Sequence, residues 1–311
     1  MPGAQVTAPA PAARPEHIYQ ATLRRERAET AREANQRADA AMSTPAARNI
    51  TEYLAAVETG LRSRGLLRTD AGDGFTMTPQ SLADDFVQIA LRDEYARSGA
   101  GLVPDSHPAP LRRWEQPVRM QVVFGDSVNG PQRNRDTAEV TGFARRLSAI
   151  SGHPVSVTNG PGNFVVAILS EDERRNSHDR LAALVPGIPR SDLAAIAELS
   201  PQNYCAVFAY SSGNSSQYVR ALAVLRAELP PLLRTSCFHE ELTQGMGLAN
   251  DSPVVKPSIF NDDEQFALLT QHDELLLKML YDRRFRPGMT EEEARPIALQ
   301  IATELLGGGA Q

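Results

Sequence analysis

The sequence predicts an α+β fold in which a mixed sheet supports a helix with a polar motif, preceded by N-terminal helices. Three patterns support this prediction. Apolar and polar residues alternate at 118–122, as they do in a strand. Apolar residues recur at helical spacing at 136–151. Two apolar runs at 204–210 and 217–226 flank a Ser/Gly/Asn-rich turn, which is typical of a β-hairpin that leads into the motif helix.

The composition restricts the kinds of partner that the chain can bind. Hydrophobic residues make up 41% of the sequence and charged residues 23%, which are values of a soluble globular protein. The net charge is −6, and nucleic acid is therefore not expected as a partner, because phosphate binding requires a clustered basic surface. No apolar run of about 18 residues occurs, so we expect no transmembrane segment.

The chain divides into three predicted regions. Residues 1–15 are rich in alanine and proline, and we predict a disordered spacer of the kind that follows a removed leader or a lipid anchor. Residues 16–68 are predicted to form a polar helix with little to bury and a second helix, starting at Pro45, with an apolar stripe. The main domain is predicted to span 75–306, after a glycine-containing turn at 69–74.

Within the main domain, proline, glycine and capping residues set the expected element boundaries. A helix is expected to begin at Thr78-Pro79 and to reach Tyr95, followed by a Gly/Pro-rich loop at 99–110. A last helix is expected after the capping box of Thr290 and Glu293. The remaining elements are two strands at 154–158 and 163–169, joined by an Asn-Gly-Pro-Gly turn, and helical segments at 171–185 and 190–198.

The segment 237–261 contains the pattern around which the domain is predicted to be organised. It has the spacing of the zinc-peptidase helix H-E-x-x-H-x-x-G-x-x-H, with the histidines replaced. Gly247 aligns with the glycine of that motif, where the chain turns. The positions of the metal ligands then fall on Glu240, Gln244 and Asn250, with Asp251 next in the chain, and the position of the general base falls on Glu241.

The residue types at these positions leave the chemistry open. All three ligand positions hold oxygen donors, which suit a hard divalent cation such as calcium or manganese better than zinc. In the intact motif the glutamate takes a proton from the metal-bound water, so Glu241 is a candidate catalytic base. Alternatively, Glu241 accepts hydrogen bonds from backbone amides, and Gln244 and Asn250 hold the turn after the helix. No cofactor is favoured, and a divalent metal is the alternative.

Two histidines and two cysteines are further candidates. His239 offers a second register, with Glu240 as the base and Thr243 as a ligand, although threonine is a poor zinc ligand. His272 is expected either to brace the helix that it precedes or to act as a ligand. Cys205 and Cys237 are either buried thiols or a disulfide, which would indicate an oxidising compartment.

The motif segments together resemble the DUF2927 family, a bacterial domain that is similar in outline to metzincin-type zinc peptidases. The resemblance is carried by E-E-L-T-Q-G-M-G-L-A-N-D, S-I-F-N-D-D, L-T-Q-H-D-E-L-L-L-K-M-L-Y and, upstream, R-W-x-x-P-V, and it covers about residues 79–300. The S-I-F-N at 258–261 stands where a metzincin has its Met-turn. The resemblance implies a zincin-like sheet, a Cys205–Cys237 disulfide, and a location outside the cytoplasm, in the periplasm or cell envelope.

Two interpretations of the function follow. The favoured one is a zincin-like domain without histidine ligands that serves as a non-catalytic binding or assembly module of the bacterial cell envelope, with a protein or an envelope component as its partner. The alternative is a hydrolase that acts on peptides or cell-wall glycans, with Glu241 as its general base and an oxygen-ligand metal site.

Overall fold

The computed structural model describes residues 16–98 and 101–307, and the spacer predicted at 1–15 lies outside these residues. The helices are α1 (Glu16–Met42), α2 (Pro45–Ser63), α3 (Pro79–Ala90), α4 (Gly130–Ser151), α5 (Glu171–Arg175), α6 (His178–Leu184), α7 (Arg190–Ala197), α8 (Pro231–Gln244), α9 (Gln271–Leu280) and α10 (Glu291–Gly307). The strands are β1 (Arg92–Ser98), β2 (Gly101–Pro108), β3 (Arg113–Trp114), β4 (Val118–Phe124), β5 (Val155–Val157), β6 (Phe164–Leu169), β7 (Cys205–Ser211) and β8 (Gln217–Arg226).

The two N-terminal helices follow the sequence prediction. Helix α1 is mostly exposed, because its sequence is polar almost throughout, and it buries Ala38. Helix α2 begins after Thr44, whose hydroxyl accepts a hydrogen bond from the amide of Ala47 at 3.1 Å, and Pro45 occupies its first position. The apolar stripe of α2 docks on the main core through Ile50, Leu54 and Leu61.

The main sheet is mixed, as predicted, and mostly parallel. Its order is β3-β8-β6-β4-β5, with parallel pairing throughout, and β7 pairs antiparallel with β8. The predicted hairpin is therefore confirmed as β7 and β8. The predicted strands at 154–158 and 163–169 are confirmed as β5 and β6, but they lie on opposite sides of β4 and do not pair with each other.

Helices cover both faces of the sheet. Strand β6 is buried along its whole length, which explains its continuous apolar sequence F-V-V-A-I-L. One face packs in the main core against α2, α3, α4, α8, α9 and α10. The opposite face of β6 and β8 packs against Leu181 of α6 and Leu193 and Ile196 of α7. The motif helix α8 therefore lies on the side of the larger core.

The segment after α3 differs from the prediction. The helix ends at Ala90 rather than at Tyr95, because the apolar stripe stops at Leu91 and the charged sequence R-D-E follows. The predicted loop at 99–110 is wrong over most of its length, since residues 92–98 and 101–108 form the antiparallel pair β1–β2. A hydrogen bond from the amide of Ala109 to the carbonyl of Leu91, at 2.9 Å, closes this pair at its base.

The helix ends follow the capping residues of the sequence. Gly152 ends α4 in a left-handed conformation (φ 68°). Before α10, the amide of Thr290 donates to the Glu293 carboxylate, and the amide of Glu293 donates to the Thr290 hydroxyl. Helix α4 begins at Gly130, earlier than the predicted Asp136. Among the described helices, none is both long and apolar enough to cross a membrane.

A buried cluster of charges lies at the carboxyl ends of β6 and β8. The Glu171 carboxylate accepts hydrogen bonds from Arg174 and Arg175, each at 2.7 Å, and it also pairs with Arg226. Arg174 and Arg226 are at most 1% exposed. Burial alone would raise the pKa of Glu171, but the hydrogen bonds from Arg174 and Arg175 lower it to about 2.

Candidate functional site

The motif helix α8 receives its N-terminal cap from α2. No side chain of its own caps it, because Pro230 and Pro231 stand at its start. Instead, one carboxylate oxygen of Glu58 accepts hydrogen bonds from the amides of Leu232 and Leu233, at 3.1 and 3.0 Å. A carboxylate at this position accepts hydrogen bonds from amides that have no partner within the helix. Its negative charge also interacts favourably with the positive end of the helix dipole. The N-terminal region thus fixes the start of α8.

The carboxyl end of α8 is fixed by two aromatic side chains. Trp114 donates from Nε1 to the carbonyl of Gly245 at 2.8 Å, and the Tyr281 hydroxyl donates to the carbonyl of Met246 at 2.9 Å. Gly247, which was predicted to turn the chain, has φ 125°, and a Cβ there would lie 2.3 Å from the carbonyl oxygen of Arg112. Only glycine fits this turn.

A cleft of about 1070 Å³ opens beside α8 and β7. All seven residues of β7 line it, together with Glu240, Glu241 and Gln244 of α8 and Asp251 from the following turn. Three of the predicted site residues of α8 therefore face one space. The cleft extends to Asp93 near the start of β1 and to Ser191, Ala194 and Ala195 of α7.

The side chains on the helix wall of the cleft are in close contact. The Gln244 side-chain amide donates to Asp251 at 2.8 Å. Carboxylate oxygens of Glu240 and Glu241 and the sulfur of Cys205 all lie within 4.8 Å of one another. Asn250 has a different environment, because its side-chain amide donates to the carbonyl of Gln88 on α3 at 2.8 Å. Gln244 therefore contacts Asp251 and not Asn250, the residue that aligns with the third ligand of the motif.

His239 lies in the core. Its ring stacks on Phe143, with ring centroids 4.2 Å apart, and its Nδ1 accepts a hydrogen bond from the amide of Leu269 at 3.0 Å. Burial, together with the charge of Arg146, lowers the pKa of His239 to about 3, so the ring is neutral at pH 7. The Thr243 hydroxyl donates to the His239 carbonyl at 2.6 Å. His239 and Thr243 of the second register therefore lie in the packing of the helix, whereas Glu240 lines the cleft.

His272 is buried between α3 and α9. Its Nε2 lies 3.0 Å from Asp85 on α3, and its Nδ1 lies 3.8 Å from Asp273. Burial alone would lower the pKa of His272, but the carboxylates of Asp273 and Asp85 beside the ring raise it to about 9. The Asp273 carboxylate also accepts hydrogen bonds from Ser258, at 2.5 Å, and from the amide of Ile259, at 3.0 Å. His272 thus contacts the carboxylate that holds the S-I-F-N segment.

The raised pKa of His272 makes stability depend on pH. The folded state keeps its proton up to about pH 9, whereas the unfolded state releases it near 6.5. The stabilisation is therefore complete below about pH 6.5 and is lost as pH rises through about 9, a fall of about 3 kcal/mol. Urea unfolding at about pH 6 and about pH 9.5 measures this. In His272→Gln the free energy of unfolding is expected not to fall over this pH range. An equal fall in that variant would show that other groups cause the pH dependence.

The cysteines form a disulfide, which decides between the two alternatives that the sequence left open. Cys205 starts β7 and Cys237 lies on α8, with Cα atoms 6.0 Å apart. The bond therefore joins the two walls of the cleft covalently, one helical turn before Glu241.

The N-terminal region also supports the far side of the cleft. The amide of Leu67 donates to the carbonyl of Glu264 at 2.9 Å, and the amide of Arg68 donates to the carbonyl of Gln265 at 2.8 Å. Glu264 lines the cleft and has φ 56°. The sequence places Glu264 in an acidic turn with Asp262 and Asp263 that is typical of a solvated turn, and it does not single out Glu58, because the positions of both depend on contacts between distant segments.

The cleft wall offers a set of oxygen donors. Glu240, Glu241, Gln244 and Asp251 contribute carboxylate and amide oxygens, and the sulfur of Cys205 is held in the disulfide. Oxygen donors suit a hard cation such as calcium better than zinc, which prefers imidazole and thiolate ligands.

The model of one protein family matches residues 79–300, well over half of the chain, and its description is "Protein of unknown function (DUF2927)". The chain belongs to the DUF2927 family. The match begins at α3, so α1, α2 and the cap from Glu58 lie outside the family segment. No curated protein and no solved structure matches the chain. The predicted membership is confirmed with the predicted limits.

Proposed function

We propose that this DUF2927 protein is a zincin-like, non-catalytic binding or assembly module of the bacterial cell envelope, and that it binds an extended segment of a partner protein along β7. One observation carries the proposal: within residues 16–98 and 101–307, β7 pairs with β8 alone, and its whole length lines the cleft. The backbone groups along the outer edge of such a strand are a template for a further strand.

The dimensions of the cleft fit an extended ligand. Seven residues of strand span about 23 Å at about 3.3 Å per residue. The volume of about 1070 Å³ is at the upper limit of pockets that hold small molecules. A chain segment laid along β7 would use the full length of the cleft.

The chemistry of the α8 wall supports binding more than hydrolysis. The residues at the positions of the zinc ligands are oxygen donors, and Gln244 uses its side-chain amide to hold Asp251. His239, the nearest histidine in the motif, accepts a backbone hydrogen bond within the core. This wall carries polar side chains on a helix that is fixed at both ends.

The disulfide supports a location in an oxidising compartment such as the periplasm, because the reducing systems of the cytosol keep thiols free. The absence of histidine at the motif's ligand positions and the bond that spans the cleft both suit a stable receptor in the envelope.

The test is selection from a random dodecapeptide library displayed on phage, followed by fluorescence anisotropy with the recovered peptides. We expect recovered peptides to lose binding when the outer edge of β7 is blocked. Amides alternate between the two sides of a strand, so only one of Ala206→Pro and Val207→Pro removes an outward amide. The variant that keeps its melting temperature is used, with Glu292→Ala on α10 as the control. A library without binders, or binding that survives the block, would overturn the proposal.

A hydrolase is the second candidate, because Glu241 is only 4% exposed and yet lines the cleft. A general base needs this position beside a bound substrate. Incubation of the recovered peptides with the wild type and with Glu241→Gln separates the two functions. We expect intact peptides with both proteins. Cleavage by the wild type that Glu241→Gln abolishes, together with stoichiometric metal that Glu240→Ala removes, would establish the hydrolase.

A further inference from the structure

The face of the sheet that α7 covers is built of apolar rows that run across three strands. In one row, Val165 of β6 pairs with Leu222 of β8, and Leu222 pairs in turn with Phe208 of β7. The next row has the same arrangement and consists of Ala167, Val224 and Ala206. Both rows belong to the core on the side of α6 and α7. They end at β7, which pairs with β8 alone within residues 16–98 and 101–307.

The residues of β7 alternate between the two faces of the sheet. Ala206, Phe208 and Tyr210 pack on the side of α6 and α7. The residues that alternate with them, from Cys205 to Ala209, pack on the main core, where α8 lies. A strand paired with the outer edge of β7 would continue this alternation. Its side chains would therefore face α7 and α8 in turn.

The two walls that these side chains would meet differ in size and polarity. The α7 wall is formed by residues three and four positions apart, which lie on one face of the helix: Ser191, Ala194, Ala195 and Glu198. The α8 wall carries the long polar side chains Glu240, Glu241 and Gln244. Large apolar side chains of a bound segment are therefore expected on the α7 side.

Phe208 stands at the middle of β7, with three residues of the strand on either side of it. It is 9% exposed and lines the cleft, so the core covers most of its ring and the rest borders the open edge of the sheet. A residue opposite Phe208 on an added strand would be its cross-strand neighbour. Aromatic and β-branched side chains gain most from such a contact with an aromatic ring.

We propose that the segment bound along β7 carries a large apolar residue, aromatic or β-branched, opposite Phe208, where it extends the apolar row of the sheet and packs against Ala194 and Ala195. Its neighbours in sequence face α8, so apolar residues recur at every second position of the segment. This inference rests on the proposed function, because the edge of β7 supplies the backbone pairing and the apolar row selects the side chain.

The experiment uses the peptides that the phage library yields and that the block at β7 releases. We expect one position at which aromatic residues, valine or isoleucine dominate, with apolar residues two positions away. Alanine at that position is expected to lower the affinity about tenfold or more, because a large apolar side chain is then no longer buried. Alanine at the adjacent positions, which face α8, is expected to change the affinity less than about threefold.

The same contact is removed from the side of the protein by Ala194→Glu, at an exposed residue of the α7 wall. We expect a loss of about tenfold in affinity with an unchanged melting temperature. The matched control is Ala183→Glu, at an exposed alanine of α6 that is not among the residues lining the cleft, and it is expected to bind as the wild type does. Towards a peptide that already has alanine opposite Phe208, Ala194→Glu is expected to have little further effect, because both changes remove one contact.

The outcomes separate the two proposals. Peptides that need the β7 edge but have no dominant apolar position, or that bind Ala194→Glu as tightly as the wild type, would overturn this inference and leave the proposed function standing. Equal losses in Ala194→Glu and Ala183→Glu would do the same, since the loss would then not arise at the α7 wall. Failure to recover any peptide that depends on the β7 edge would overturn the proposed function itself, and this inference with it.

Discussion

The Glu171→Ala variant is expected to lose about 3–5 kcal/mol of its free energy of unfolding. The substitution leaves Arg174 and Arg226 buried, at most 1% exposed, without the carboxylate that both contact. Backbone carbonyls accept some of their hydrogen bonds, such as that of Leu199 at 2.8 Å from Arg226, but they carry no compensating charge. Unfolding in urea, followed by circular dichroism, measures the loss.

The matched control for this variant is Glu292→Ala, which removes an exposed carboxylate from the start of α10. Surface charges of this kind contribute about 0–1 kcal/mol, so its midpoint is expected to stay close to that of the wild type. If Glu171→Ala behaved like this control, the carbonyl hydrogen bonds and the charge of Glu228 would suffice to hold the buried arginines, and the expected role of Glu171 would be wrong.

Removing the disulfide in Cys205→Ala/Cys237→Ala is expected to lower the free energy of unfolding by about 3–4 kcal/mol. The two residues are separated by 32 positions, and a loop of that length in the unfolded chain accounts for this amount in the chain-entropy model. The loss also separates the start of β7 from α8, so the affinity of peptides bound along β7 is expected to fall.

Reduction of the wild type provides the control for the disulfide. Unfolding of the reduced wild type is expected to match that of the double alanine variant, because both lack the cross-link. A reduced protein with the stability of the oxidised form would show that the loop is already ordered in the unfolded state, and the expected loss would then be absent.

Local patterns predicted the elements that form from local contacts. Two apolar runs that flank a turn sequence predict the hairpin of β7 and β8, and the alignment of Gly247 with the glycine of the motif predicts the turn there. The start of α2 at Pro45 was predicted for the same reason, since the cap and the first residue are neighbours in sequence.

Contacts between distant segments were not predictable in the same way. The sequence E-D-E-R-R at 171–175 has the composition of a solvated helix, and only the packing of β8 against it shows that Glu171 meets Arg226 in the interior. The hairpin β1–β2 has no apolar alternation, so the sequence predicts a helix end and a loop in place of its strands. The alignment favours Asn250 over Asp251, because the sequence does not show how the turn after α8 orients the two side chains. In the structure it is Asp251 that reaches Gln244.

The cap that Glu58 provides has a consequence for how this domain can be exchanged between proteins. The family segment starts at residue 79, yet the first amides of α8 are covered by a carboxylate from α2. A gene fusion that transfers residues 79–300 alone would therefore deliver the motif helix with exposed amides at its start. Fragments for recombinant work should therefore begin before Pro45, so that they include Glu58.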